Sequence, residues 1–132
     1  MYRRTYTLKT GISPMDDDDL AYNFKKYRKK YWIRHNLWIP EHVKCTFRKI
    51  KLTEFDAGKA RPVATLTEQC NIVITPEMAH IYCAAHTTLL HEMAHLYIRA
   101  ITNSDGRFYG HGKMFNAEID RLYALGAFRQ LI

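Results

Sequence analysis

Apolar residues recur at helical spacing near the start of the chain and predict a long first helix from about Asp17 to His35. The positions that form its buried stripe are Leu20, Phe24, Tyr27 and Tyr31. The run Asp16–Asp19 precedes the helix and basic residues fill its second half, an order that suits the helix macrodipole. We therefore interpret the aspartate run as a helix N-terminus and not as a metal site.

Two further helices are predicted in the second half of the chain. Thr75-Pro76-Glu77 combines an N-cap residue, a proline at the first helical position and an acidic residue in the first turn. A helix should start there and continue to about Ile101, with a break near Cys83–His86 as an alternative. A last helix is expected from about Lys113 to Leu125, because Gly126 can end it.

Alternating apolar and polar residues predict three short strands between the first and second helices. The first lies around Val43 to Leu52, with a bulge or bend near Arg48-Lys49 where the alternation changes parity. The other two run from about Arg61 to Thr67 and from about Asn71 to Thr75. The pattern as a whole predicts an α+β fold, with an N-terminal helix, a three-stranded antiparallel sheet and two C-terminal helices. We expect the 132 residues to form a single domain.

The composition is that of an ordinary globular domain, with 47% hydrophobic and 25% charged residues. No apolar run reaches the roughly 18 residues of a membrane span, and the first residues lack the apolar segment of a secretory signal. We therefore expect a cytoplasmic protein, monomeric and without a membrane partner. The three cysteines form no Cys-x-x-Cys pair, which indicates neither a disulfide framework nor a zinc ribbon.

The stretch with the clearest chemistry is His91-Glu92-Met93-Ala94-His95, inside the second predicted helix. His91 and His95 lie one helical turn apart and point the same way. Two imidazole nitrogens so placed can hold one Zn²⁺, and Glu92 can reach a water bound to that ion. The pattern fixes only three residues, so support must come from elsewhere in the chain.

A catalytic zinc site needs a third protein ligand and an open coordination position. Two candidates follow the second helix. His111 lies between two glycines, Gly110 and Gly112, which let the backbone approach a crowded site closely. Glu118, in the last predicted helix, is a carboxylate alternative. The residues by themselves leave both open.

Taken together, two stretches resemble the His-Glu-x-x-His … His-Gly-x-x-Phe pattern of the SprT-like zinc metallopeptidases. They are His91-Glu92-Met93-Ala94-His95 and His111-Gly112-Lys113-Met114-Phe115. The family includes the bacterial SprT proteins and the protease domain of Spartan, and the similarity covers roughly Arg61 to Ala127. Many bacterial relatives carry a C-terminal Cys-x-x-Cys zinc ribbon, which we do not expect in this chain.

The resemblance implies a zincin-like domain in which His91, His95 and His111 bind one catalytic Zn²⁺ and Glu92 is the catalytic base. The implied reaction is hydrolysis of peptide bonds in protein or peptide substrates, and the resemblance suggests substrates bound or crosslinked to DNA. The oxyanion needs a donor besides the metal. The loop before His111 offers two weak candidates, Arg107 and Tyr109.

The net charge of +7 and the sequence pI near 9.4 favour a polyanionic partner such as DNA, single- or double-stranded. Off its buried stripe, the first helix carries a basic face with aromatic residues, which could contact phosphates and stack on bases. The residues of this face are Tyr22, Lys25, Lys26, Lys29, Lys30 and Trp32. An equally weighted alternative is a solvated lysine face with Trp32 packed under a loop.

Two other functions stay open at this point. One is a basic nucleic-acid-binding module with a structural zinc ion, which would need a closed four-ligand site and would have no use for Glu92. The other is a regulatory metalloprotease that cuts a specific repressor, with Glu118 as the third ligand.

Overall fold

The computed structural model describes residues 14–50, 63–102 and 112–129. Within these ranges the chain forms α1 (Asp17–Tyr31), β1 (Cys45–Phe47), β2 (Ala64–Leu66), β3 (Ile72–Ile74), α2 (Tyr82–Thr102) and α3 (Lys113–Ala124). Short 3-10 turns follow α1 at Ile33–His35 and precede α2 at Pro76–His80. The predicted α+β class is confirmed. None of the helices in the described ranges has the length and apolar character needed to cross a membrane.

The start of α1 is fixed by a capping box. The Asp16 side chain accepts a hydrogen bond from the Asp19 amide, and the Asp19 carboxylate accepts one from the Asp16 amide, both at 2.9 Å. Asp17 then ties the helix to the sheet, because its Oδ1 accepts from the amide of Phe47 at 2.8 Å. The aspartate run is thus a helix start, as predicted. The helix ends earlier than predicted, with Trp32 as its C-cap.

The three strands form a mixed sheet with β3 in the centre, and the prediction of an antiparallel sheet was wrong in this respect. On one side β2 runs antiparallel to β3, pairing Ala64 with Ile74. On the other side β1 runs parallel to β3, pairing Cys45 with Ile72. Alternation of apolar and polar residues specifies a strand but carries no information on the direction of its neighbour.

The second helix, α2, begins later than predicted. The proline at position 76 starts a 3-10 turn, and Ile81, with extended backbone at φ −122° and ψ 93°, separates that turn from α2. The Thr75 side chain makes no capping bond to the helix and is hydrogen-bonded to Glu77 instead. The break therefore lies just before Tyr82, outside the Cys83–His86 stretch considered from the sequence.

The core is built around α2, which packs against α1, α3, β2 and β3. Five of its side chains are completely buried: Ala85, Leu89, Leu90, Met93 and Ala94. The predicted stripe of α1 is buried against it, from Leu20 at 0% to Tyr27 at 7% exposed. This apolar contact fixes the rotation of α2 and therefore decides which of its side chains face the surface.

Candidate metal centre

His91 and His95 lie on neighbouring turns of α2 and bring their Nε2 atoms to 3.2 Å from each other. The Glu92 carboxylate joins them, with its Oε2 at 3.9 Å from the His91 Nε2. The ligand atoms of these three side chains all lie within 4.8 Å of one another, and no further group of this kind occurs in the part of the chain that the structure describes. The predicted cluster therefore forms as expected from helical spacing.

The geometry of the two imidazoles fits a shared metal ion. Two nitrogens that each lie roughly 2.0–2.1 Å from a tetrahedral zinc ion are about 3.3 Å apart. The observed separation of the two Nε2 atoms is 3.2 Å. The His91 side chain is 36% exposed, so a metal ion and a further ligand can reach this side of α2. These residues could hold a metal ion without rearrangement of the helix.

Phe115 of α3 orients both imidazoles. Its ring is stacked on that of His95, with centroids 4.1 Å apart and an interplanar angle of 20°. The same ring lies 4.9 Å from the ring of His91. Phe115 is 4% exposed, so α3 holds an apolar ring in a fixed position beside both histidines. The sequence indicated this residue only through the family pattern, and the contact explains its place beside the site.

Glu92 lies on the buried side of the histidine pair and is 6% exposed. Burial raises the pKa of its carboxyl group to about 7, and the positive charge of Arg99 opposes this rise. Arg99 is itself tied to the turn before β3, because its Nη1 donates to the carbonyl of Thr67 at 2.5 Å. A cation bound between the histidines would favour the charged form of Glu92 and lower its pKa again.

Glu118 does not join the histidines. Its Oε2 accepts from the indole Nε1 of Trp32 at 2.7 Å, and both of its oxygens accept from the Arg121 guanidinium, at 2.7 and 2.9 Å. The guanidinium also lies over the Trp32 ring, 5.6 Å from its centroid. Glu118 is thus held in a buried network between α1 and α3, and this arrangement gives no support to Glu118 as the third metal ligand.

The same network corrects the prediction for Trp32. Its side chain is 0% exposed, so the indole cannot stack on a nucleic-acid base. Trp32 is held inside the protein by its bond to Glu118, because a buried carboxylate needs hydrogen-bond donors and the indole N–H supplies one. Sequence reasoning missed this pair because the two residues are far apart in the chain and neither belongs to a recognisable motif.

Three predicted site residues lie outside the described residues: His111, Arg107 and Tyr109. Their assignments as third zinc ligand and oxyanion donors stay predictions. The described chain resumes at Gly112, which is the N-cap of α3.

The predicted basic face of α1 is exposed apart from Trp32. Tyr22 is 39% exposed, and the four lysines are exposed as well, namely Lys25, Lys26, Lys29 and Lys30. All five side chains lie off the buried stripe of α1. The face can therefore be reached by a large anionic partner.

A comparison with protein families gives one match. The model described as the SprT-like family matches residues 22–129, a span that includes α2, α3 and the last two-thirds of α1. No curated protein and no solved structure shows significant similarity to this chain.

Proposed function

Because the chain belongs to the SprT-like family, we propose that it is a zinc-dependent endopeptidase. The observation that carries this proposal is the pair of imidazole nitrogens at 3.2 Å with the buried Glu92 carboxylate beside them. Imidazole nitrogens suit zinc, and two of them one helical turn apart fix two of its coordination positions. We assign His91, His95 and, from the family pattern, His111 as the zinc ligands.

When bound, zinc lowers the pKa of a coordinated water and polarises the carbonyl group that is attacked. The protein supplies the remaining groups. Glu92 accepts a proton from the attacking water and later delivers one to the leaving amine, a role that fits a carboxylate held beside the metal ligands and away from bulk solvent. The stacked ring of Phe115 keeps the His95 imidazole in the orientation that directs Nε2 toward the shared position.

An extended peptide has a place to bind near α2. β2 is an edge strand of the described sheet and packs against α2, the helix that carries the histidines. A substrate strand can pair with the backbone groups along such an edge, although Arg99 already donates to the Leu66 carbonyl at the end of β2. This supports a peptide substrate over a small-molecule one.

The alternative of a structural zinc ion in a nucleic-acid-binding module has less support. A structural site is closed by four protein ligands, whereas the described residues bring only two histidines and Glu92 together. The partly exposed His91 also fits a site that a substrate can reach. The alternative of a regulatory metalloprotease was distinguished by Glu118 as the third zinc ligand. It has less support, because Glu118 is bonded to Trp32 and Arg121.

The proposal is tested by measuring zinc content and casein cleavage in the wild type and in Glu92→Gln. The variant keeps the shape of the side chain and should bind zinc normally, while cleavage should fall by roughly 10²–10⁴-fold. Glu41→Gln makes the same chemical change at an exposed position and should cleave at the wild-type rate. Cleavage by Glu92→Gln at the wild-type rate would remove Glu92 from the mechanism.

We propose in addition that the substrates are proteins associated with DNA. The net charge of +7 and the exposed lysines of α1 support this, because a basic face would hold DNA and its bound proteins near the enzyme. Cleavage of a histone should increase when single- or double-stranded DNA is added, and the increase should shrink as salt concentration rises. Cleavage that is indifferent to DNA would contradict the assignment of substrates and leave the peptidase assignment intact.

A further inference from the structure

A pocket of about 220 Å³ lies between α1, the start of α2 and the turn after α3. The pocket is far from the histidine pair. Tyr82 lines the pocket, and α2 rises about 13 Å from Tyr82 to His91, at ~1.5 Å per residue. Its lining combines three cationic side chains with three tyrosines, namely Lys26, Lys30, Arg129, Tyr27, Tyr31 and Tyr82.

The charged side chains that line the pocket are all cationic, and no acidic residue lines it within the part of the chain that the structure describes. The two lysines lie over tyrosine rings, with the Lys30 Nζ at 5.4 Å from the centroid of Tyr31 and the Lys26 Nζ at 6.0 Å from that of Tyr27. Such contacts hold an ammonium group in place without neutralising it. Among the described residues, the three cations form no ion pair with a carboxylate.

The third cation is held over the turn that closes the pocket. Gly126 adopts a left-handed conformation, with φ at 81°, and its carbonyl accepts from the amide of Arg129 at 3.1 Å. The Arg129 side chain folds back over this turn, since its guanidinium carbon lies 3.6 Å from the position that a Cβ at residue 126 would occupy. The turn therefore holds the guanidinium beside Gly126, in the lining of the same pocket as the two lysines of α1.

The inner wall of the pocket adds no negative charge. Tyr27 is only 7% exposed, and its hydroxyl group is hydrogen-bonded to the imidazole of His86. Burial raises the pKa of Tyr27 and lowers the pKa of His86 to about 4, so both groups are neutral near pH 7. A ligand would meet three cations and neutral hydrogen-bonding groups.

We propose that this pocket binds a phosphate group, supplied by a nucleotide or by a nucleic-acid strand that lies along α1. Two lysines and an arginine converge on it, and these are the side chains that bind phosphate through charge-assisted hydrogen bonds. The pocket is smaller than the ~300–1,000 Å³ sites that enclose drug-sized ligands, which suits a compact anionic group. The inference does not rest on peptidase activity, because it concerns residues remote from the histidines.

The test compares two double variants that remove the same charge. Lys26→Gln/Lys30→Gln removes the two lysines of the pocket, and Lys44→Gln/Lys49→Gln removes two exposed lysines that lie outside α1 and do not line the pocket. Binding is measured by titration calorimetry with inorganic phosphate, adenosine 5′-monophosphate and an oligothymidine octamer with a free 5′-hydroxyl. All proteins carry Glu92→Gln, so that peptide cleavage plays no part in the readout.

The wild-type pocket should bind at least one of these probes saturably, and Lys26→Gln/Lys30→Gln should weaken binding by about tenfold or more, the effect of losing hydrogen bonds to a charged group. The Lys44→Gln/Lys49→Gln protein should bind within about twofold of wild type. Preference for the monophosphate would identify a phosphomonoester, and equal or tighter binding of the octamer would identify a phosphodiester strand. Equal losses in the two double variants, or no saturable binding of any probe, would overturn the proposal.

Discussion

The imidazole of His95 is stacked on the ring of Phe115, at a centroid distance of 4.1 Å and an interplanar angle of 20°. A buried ring from α3 thus orients a candidate metal ligand of α2. The contact brings together the stretch that contains His95 and the stretch that contains Phe115, which the family pattern relates only by their order along the chain.

Replacing Phe115 by leucine should weaken zinc binding by up to about tenfold, because the imidazoles lose the ring that restricts their orientation. The change is measured as the zinc dissociation constant by competition with a chromogenic chelator. Tyr123→Leu also replaces an aromatic ring by leucine, at an exposed position of α3, and this variant should bind zinc as wild type does. If the two variants bind zinc equally well, the stacked ring has no role in positioning the ligands.

Replacing Glu118 by glutamine should lower the free energy of unfolding by about 1–3 kcal/mol, since the charged acceptor of the Trp32 and Arg121 bonds is lost inside the protein. Zinc content should stay at the wild-type level. Urea denaturation and metal analysis measure the two effects, with Asp120→Asn as the control on an exposed residue of the same helix. Loss of zinc from Glu118→Gln would return Glu118 to the list of ligands.

Replacing His111 by alanine should weaken zinc binding by more than about 100-fold if the family pattern assigns the third ligand correctly. Metal content after dialysis against a weak chelator gives the answer. His42→Ala is a suitable control, because His42 is exposed and has no place in the pattern. Full zinc occupancy in His111→Ala under these conditions would show that another residue completes the site.

The stability of the protein should fall between pH 6.5 and pH 4 because of His86, which is 2% exposed. Its pKa is lowered from 6.5 to about 4, mainly by burial and further by the charge of Lys26. Over this range the unfolded chain binds a proton at His86 and the folded chain does not. The free energy of unfolding therefore decreases as pH falls, by up to roughly 3 kcal/mol from this group.

Comparison of the wild type with His86→Asn isolates this contribution. Glu92 has a raised pKa and acts in the opposite direction between pH 7 and pH 4.5, but it is present in both proteins and cancels in the difference. Urea denaturation at pH 7 and pH 4.5 should show a smaller loss of stability in His86→Asn than in wild type. His80→Asn, a change at an exposed histidine, should match the wild type. An identical loss in all three proteins would contradict the assignment.

The amino-acid sequence by itself determined the local features of this protein. The buried stripe of α1 and the one-turn spacing of His91 and His95 follow from the period of the α-helix, which depends only on neighbouring residues. The capping role of the aspartates is local in the same way, since donor and acceptor lie three residues apart. The sequence could therefore place the candidate metal-binding pair, and the family pattern predicts His111 as a third ligand.

The tertiary structure alone decided which distant groups meet. Three relationships join separate parts of the chain. Cys45 pairs with Ile72 in parallel strands, Trp32 donates to Glu118, and Arg129 lines one pocket together with two lysines of α1. Such contacts depend on how all the apolar faces pack at once, and neither periodicity nor a short motif records that packing. For this reason Trp32 belongs to the core and the pocket beside α1 emerged only from the fold.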